Sequence, residues 1–193
     1  MLRKILVSAA TLLPFIAISA QAQWTLDNDN SELNFISTKA DKVAEVHRFN
    51  TLSGKVDDSG QVEIAIDLAS VNTNIEIRNE RMRKMLFETD RYAVAVLSAK
   101  IDEQKIDALT IGETIDVSVE GELTLHGESQ PLTLAITVVR LSQSEILAIS
   151  SRPVVINAAN FELAEGVEKL REIAGLPSIS TAVPVTFQLR FQH

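Results

Sequence analysis

Apolar side chains recur at every second position along most of this chain, the spacing that sends alternate residues to opposite faces of a β-strand. Leu33, Phe35 and Ser37 share one face, and Glu32 and Asn34 the other. Val62, Ile64, Ile66 and Leu68 alternate with Glu63, Ala65 and Asp67. Asp57-Asp58-Ser59-Gly60, just before them, is a tight-turn signal that pairs 46–57 with 61–68 as a hairpin. Ile115, Val117, Val119, Leu123 and Leu125 continue the alternation, with Gly121 read as a phase shift suited to a bulge or sharp bend. After 126–130 the pattern resumes with Leu132, Leu134, Ile136 and Val138, then with Ile146, Ala148 and Ser150. Val185, Phe187, Leu189 and Phe191 close it. Eight strands are predicted, over 24–38, 46–57, 61–68, 92–102, 113–126, 130–141, 145–155 and 181–191.

Two segments carry helical spacing instead. Over 75–86, Ile75, Met82, Met85 and Leu86 share a face, Glu80 and Lys84 form an i,i+4 pair, and Asn72, Thr73 and Asn74 offer an N-cap. Over 167–174, Val167, Leu170 and Ala174 line one face, with Gly175 placed to end the helix and Pro177 just beyond. Long antiparallel strands with short hairpins and two helices in the connections predict an all-β fold, an eight-stranded antiparallel closed barrel, because closure removes the edges that invite aggregation. Such a barrel is either packed solid or holds one small ligand.

The first 22 residues stand apart. Arg3 and Lys4 precede an apolar stretch from Ile5 to Ile18, and Ala20-Gln21-Ala22 follows, the small-residue pattern of a signal-peptidase site. The stretch contains Pro14 and is shorter than the roughly 20 residues that span a bilayer. Residues 1–22 are therefore expected to be a cleaved signal and 23–193 a single barrel domain, exported and soluble. Loss of Arg3 and Lys4 takes the net charge from −8 to −10, which argues against nucleic acid as a partner. The chain has no cysteine, so core burial alone must hold it together. Hydrophobic residues make up 46% of it and aromatic residues only 5%, which predicts a core of Val, Ile and Leu.

Candidate chemistry is sparse. His47, His126 and His193 lie far apart and off metal-ligand spacing, so turn or surface positions are expected and no metal or cofactor. There is no serine on a glycine-flanked elbow and no cysteine nucleophile, and Glu63, Asp67, Asp116, Glu120 and Glu122 alternate on polar faces. No enzyme is expected. Arg78, Arg81, Arg83 and Lys84 against Glu76, Glu80 and Glu88 make a locally basic helix. It could receive an anionic head group, with Arg78 the best candidate, or be an ordinary solvated face. Met82, Met85, Leu86 and Phe87 could form a lid or simply the buried side of that helix.

The run Trp24-Thr25-Leu26-Asp27, Asn30-Ser31, Leu33 and Phe35 resembles the opening of the YceI-like, polyisoprenoid-binding family. Asp67 to Thr73, followed by Ile77-Arg78-Asn79-Glu80-Arg81-Met82-Arg83 and Leu86-Phe87, resembles that family's serine-valine-aspartate-threonine element, arginine-led helix and aromatic pair. Val119 to Gly127 resembles its glycine-led strand and hairpin. Asn30 and the neighbourhood of Lys39 lack the histidines that the family often carries there.

The resemblance covers residues 24–191 and implies a lipocalin-like barrel with an elongated apolar tunnel. It implies a non-catalytic periplasmic carrier for a polyisoprenoid, quinone, fatty-acid derivative or related lipid, and possible contact with a membrane redox protein. The residues expected to serve the ligand are Phe35, Phe49, Ile64, Arg78, Met82, Leu86, Phe87, Tyr92 and Phe161. The competing expectation is a solid barrel acting as an interaction module for a membrane or redox partner. A homodimer is the default assembly.

Overall fold

The computed structural model describes residues 22–193, so the expected signal segment, residues 1–21 of it, lies outside the described residues. Eleven strands form one sheet: β1 (Ala22–Lys39), β2 (Val43–Phe49), β3 (Leu52–Asp57), β4 (Gln61–Asp67), β5 (Val71–Asn72), β6 (Val94–Lys100), β7 (Thr114–Leu125), β8 (Glu128–Arg140), β9 (Glu145–Ser150), β10 (Val154–Asn157) and β11 (Ala182–Gln192). β2/β3 and β9/β10 are each a row with a break, near the predicted strands 46–57 and 145–155, and β5 extends the row of β4 beyond the predicted 61–68, so the sheet has eight rows. Each row is antiparallel to the next in sequence, and β11 returns to pair with β1, closing an eight-stranded barrel.

The interruptions have local causes. Between Asp27 and Glu32 the β1–β11 register shifts. Ser31 Oγ donates to the Asp27 carbonyl and accepts from the Arg190 amide there. Asn28 accepts from the Leu52 amide at 2.6 Å, at the point where β2 gives way to β3. On β1 the buried side chains accordingly change phase, from Trp24 and Leu26 to Leu33 and Phe35.

The phase shift expected at Gly121 is absent. The β7–β8 ladder runs without a register break from Thr114↔Val139 to Leu125↔Glu128. Gly121 stands there because β6 crosses closely: a Cβ on it would meet the Ser98 carbonyl at 3.0 Å. The hairpin after β7 is also tighter than 126–130, with only His126 and Gly127 between the strands, both at positive φ as a two-residue turn requires.

Helix α1 (Glu76–Arg81) runs into a π-helical turn at Met82–Leu86, and α3 (Ala164–Ile173) packs against that turn. The Glu80–Lys84 pair forms at 2.7 Å, and Gly175 adopts φ 63° beyond α3. The cap of α1 is reversed from expectation. Asn79, inside the helix, accepts from both the amide and the hydroxyl of Thr73, while Ile75 sits at the N-cap with no side-chain bond. A third short helix, α2 (Glu103–Asp107), bridges β6 and β7. No helix among the described residues is long and apolar enough to cross a membrane.

Candidate functional site

The inward faces of the eight rows carry mainly Val, Ile, Leu and Ala, and these side chains are too small to fill the barrel. Two cavities result. The larger, about 500 Å³, lies toward α2; the smaller, about 170 Å³, lies toward α1 and α3. Leu97, Leu134 and Phe187 line both, so the two are adjacent chambers meeting at a waist formed by those residues. Many inward apolar residues, among them Val62, Val117, Leu132 and Val185, keep partial exposure because they face this space and not one another. A barrel packed solid is not what the structure holds.

The chambers differ in chemistry. Every residue lining the smaller one is apolar, and Leu86 and Phe87 from the π turn and Leu163 and Val167 from the α3 region close its end. At the outer end of the larger chamber, Lys100, Asp102, Lys105, Asp116 and Ser118 join the lining. Lys105 pairs with Asp102 at 3.4 Å, and Asp116 accepts from Thr137 at 2.6 Å. Beside this mouth, burial raises the Glu103 pKa, and Asp107, Asp58 and Asp57 push it further the same way.

Phe35, Phe49, Leu86 and Phe87 line the inner chamber, with Phe49 5.3 Å from Phe35 and 5.7 Å from Phe87 between ring centroids. Ile64 lines the outer one. Arg78, Met82, Tyr92 and Phe161 line neither. Met82 is buried under α1, and Phe161 is packed in the core at 2% exposure. Tyr92 stacks on His126 beside the β7–β8 turn.

Arg78 is committed within the protein: it donates to Glu45 at 2.6 Å and to the Thr73 carbonyl at 2.8 Å. Glu45 also pairs with Lys39 at 2.6 Å. The hydrogen bond from Lys39, then that from Arg78, hold the Glu45 carboxyl below the usual range against the opposing effect of burial.

His47 corrects the expectation of a surface or turn role. It sits on β2 opposite Phe35, is 4% exposed, and has Nε2 2.8 Å from Ser37 Oγ. Burial, then the Arg78 charge, lower its pKa, so it is held neutral. The inward position follows from its alternation with Phe49, a signal that metal-ligand spacing does not test. Sequence reading also missed the waist residues Leu97 and Leu134 and the polar mouth, since nothing in the period-two pattern marks where two chambers meet. Among the described residues no group of three or more His, Cys, Asp and Glu side chains is placed to hold a metal ion.

A YceI-like domain model matches residues 24–191. Among solved structures, the chain is similar to a polyisoprenoid-binding domain from Saccharophagus degradans, at 41% identity and TM-score 0.88, covering 89% of this chain and 99% of that one. BcnA of Burkholderia cenocepacia shares the fold at 21% identity and TM-score 0.64, with 86% and 98% covered. A YceI protein of Campylobacter jejuni shares it at 16% identity and TM-score 0.56, with 76% and 84% covered. No curated protein sequence gives a significant match.

Proposed function

The chain belongs to the YceI-like family, and on that premise we propose that it is a non-catalytic periplasmic carrier that encloses one apolar chain-like molecule, a polyisoprenoid, quinone or related lipid. The observation that carries this reading is the hollow interior, two chambers that share Leu97, Leu134 and Phe187 in their lining, the inner one with no polar lining. An outer chamber of about 500 Å³ falls within the range of roughly 300–1,000 Å³ usual for small-molecule sites. An empty apolar void is costly: at about 24 cal/mol per Å³, a chamber of this inner size forfeits on the order of a few kcal/mol. A cargo that fills it recovers that energy, and each buried CH₂ adds about 0.8 kcal/mol.

Two chambers meeting at Leu97, Leu134 and Phe187 suit a flexible chain better than a compact, ring-shaped ligand. Phe35, Phe49, Ile64, Leu86 and Phe87 are its proposed contacts, with the polar end of the cargo toward Lys100, Lys105 and Asp116. The likeness to the Saccharophagus domain supports the same ligand class. The signal-like residues 1–22 support export.

Titration with all-trans-retinol, an isoprenoid whose fluorescence rises in an apolar site, tests the reading. One saturable site per chain and a melting temperature that climbs with retinol concentration are expected. A melting temperature indifferent to retinol, with no fluorescence rise, would count against it.

A further inference from the structure

The barrel wall is not sealed along its whole length. β6 pairs with β4 through Lys100, but its ladder with β7 covers only Val96↔Thr124 to Ala99↔Gly121. β7 itself begins at Thr114 and stays paired with β8 throughout. Residues 114–120 therefore present an edge to β6 with no strand partner. The slot so formed opens on the outer chamber. Asp116 and Ser118, which the alternation points away from the barrel axis, nevertheless line that chamber together with Lys100 and Lys105.

What stands in the slot is α2. Its two flanks are tied by backbone bonds, from the Ile101 amide to the Gly60 carbonyl and from the Gly112 amide to the Arg140 carbonyl. Between these ties its backbone bonds are local, such as Lys105 to Asp102 and Ala108 to Gln104. Ile106, buried, and Leu109, partly buried, are the apolar side chains that seat it on the core. Gly112, at φ 88° and with open space where a Cβ would be, supplies a pivot at one end. At the opposite end residues 128–134 of β8 also lack a strand partner, since β9 pairs only from Ile136 onward and β10 pairs with β11. There, however, the 3-10 turn Ala158–Phe161 packs against β8, and Gly166 of α3 lies against Met85 and Leu86 so closely that a Cβ would meet the Met85 carbonyl at 2.7 Å.

We infer that the cargo enters and leaves sideways, through the slot between β6 and β7, with the α2 segment as its flap. The inference rests on the carrier reading above. The slot lets an apolar chain pass from a lipid phase into the chamber lengthwise, while the polar rim of Lys100, Asp102, Lys105, Asp116 and Ser118 stays wetted. Movement of α2 unseats the Ile106 and Leu109 side chains and breaks no ladder bond, whereas entry past α1 and α3 would require two packed helices to part.

The chain has no cysteine, so introduced thiols are the only ones present. The double variant Lys105→Cys with Asp116→Cys, bridged by a short bifunctional maleimide, ties the flap to the β7 edge. Met85→Cys with Glu165→Cys, bridged likewise, ties the helices at the other end. Retinol uptake and release are followed by fluorescence for each protein before and after bridging.

Bridging the flap is expected to slow both processes at least tenfold, and bridging the helices to change neither by more than twofold. Unaltered rates with the flap bridged, or slowing only with the helices bridged, would overturn the lateral route while leaving the carrier reading intact. Failure of the unbridged proteins and the wild type to take up retinol would remove the carrier reading, and the route with it.

Discussion

His47 and Arg78 show how single polar residues are placed around an apolar interior. His47 is buried against Phe35, and its pKa is lowered from 6.5 by burial first and by Arg78 second. The unfolded chain then binds a proton that the folded chain resists, so stability is full above about pH 6.5 and falls as pH drops toward the lowered value. His47→Phe is expected to flatten the dependence of the urea midpoint between about pH 7.5 and pH 5. Glu45 acts in the same direction but lower, since its pKa is depressed from 4.5. Parallel slopes for wild type and variant would show that His47 does not set this limb.

Arg78, held by Glu45 and the Thr73 carbonyl, acts as a tie between β2 and α1. Arg78→Gln should cost about 1.5–3 kcal/mol of stability by chemical denaturation, with retinol affinity unchanged within twofold. A variant of normal stability that loses tenfold in affinity for an isoprenyl diphosphate would instead mark Arg78 as a head-group contact.

At the scale of elements, the alternation of apolar residues was enough to read eight strand rows and two of the three α-helices from the sequence. Breaks within rows were not legible. Asn28, Ser31 and Ser70 create them through hydrogen bonds to distant backbone, Asn28 reaching 24 residues along the chain to Leu52. Gly121 misled because a glycine in a strand reads equally as a bulge or as room for a neighbour, and only the position of Ser98 decides between them. α2 was missed because five residues are too few for a helical period to show.

Gly166 is the element-scale test. Alanine there gains up to about 1 kcal/mol of helix propensity, but its Cβ would lie 2.7 Å from the Met85 carbonyl and 2.9 Å from Leu86 Cα, both backbone. α3 would have to lift from the π turn. Gly166→Ala is expected to lower stability by about 1–3 kcal/mol in a denaturant melt. Equal or greater stability would show that the helices shift without penalty.

For the whole molecule, the barrel and its apolar lining were readable, and the resemblance over residues 24–191 pointed to a tunnel. Whether the barrel was hollow was not readable, because that depends on strand tilt and on the summed volumes of side chains from all eight rows. Phe35, Phe49 and Ile64 were found as chamber-lining residues because they are large and alternate inward, and Leu86 and Phe87 because they end the apolar side of the predicted helix and match the family's aromatic pair, whereas Leu97, Leu134 and Ala148 carry no mark that separates lining from filled core. The acidic protein as a whole and the mixed charges at the mouth give the interior one wetted end and one dry one.

Because the interior has one wetted end and one dry one, the proposed cargo is a single apolar molecule filling both chambers across the waist at Leu97. Mass spectrometry of an organic extract of the purified protein, set against an extract of Leu97→Trp, tests it most directly, with circular dichroism confirming that the variant is folded. One apolar chain-like compound per wild-type chain, absent from the folded variant, is the expected result. A wild-type extract with no such compound, together with no uptake of added isoprenoid, would contradict the claim.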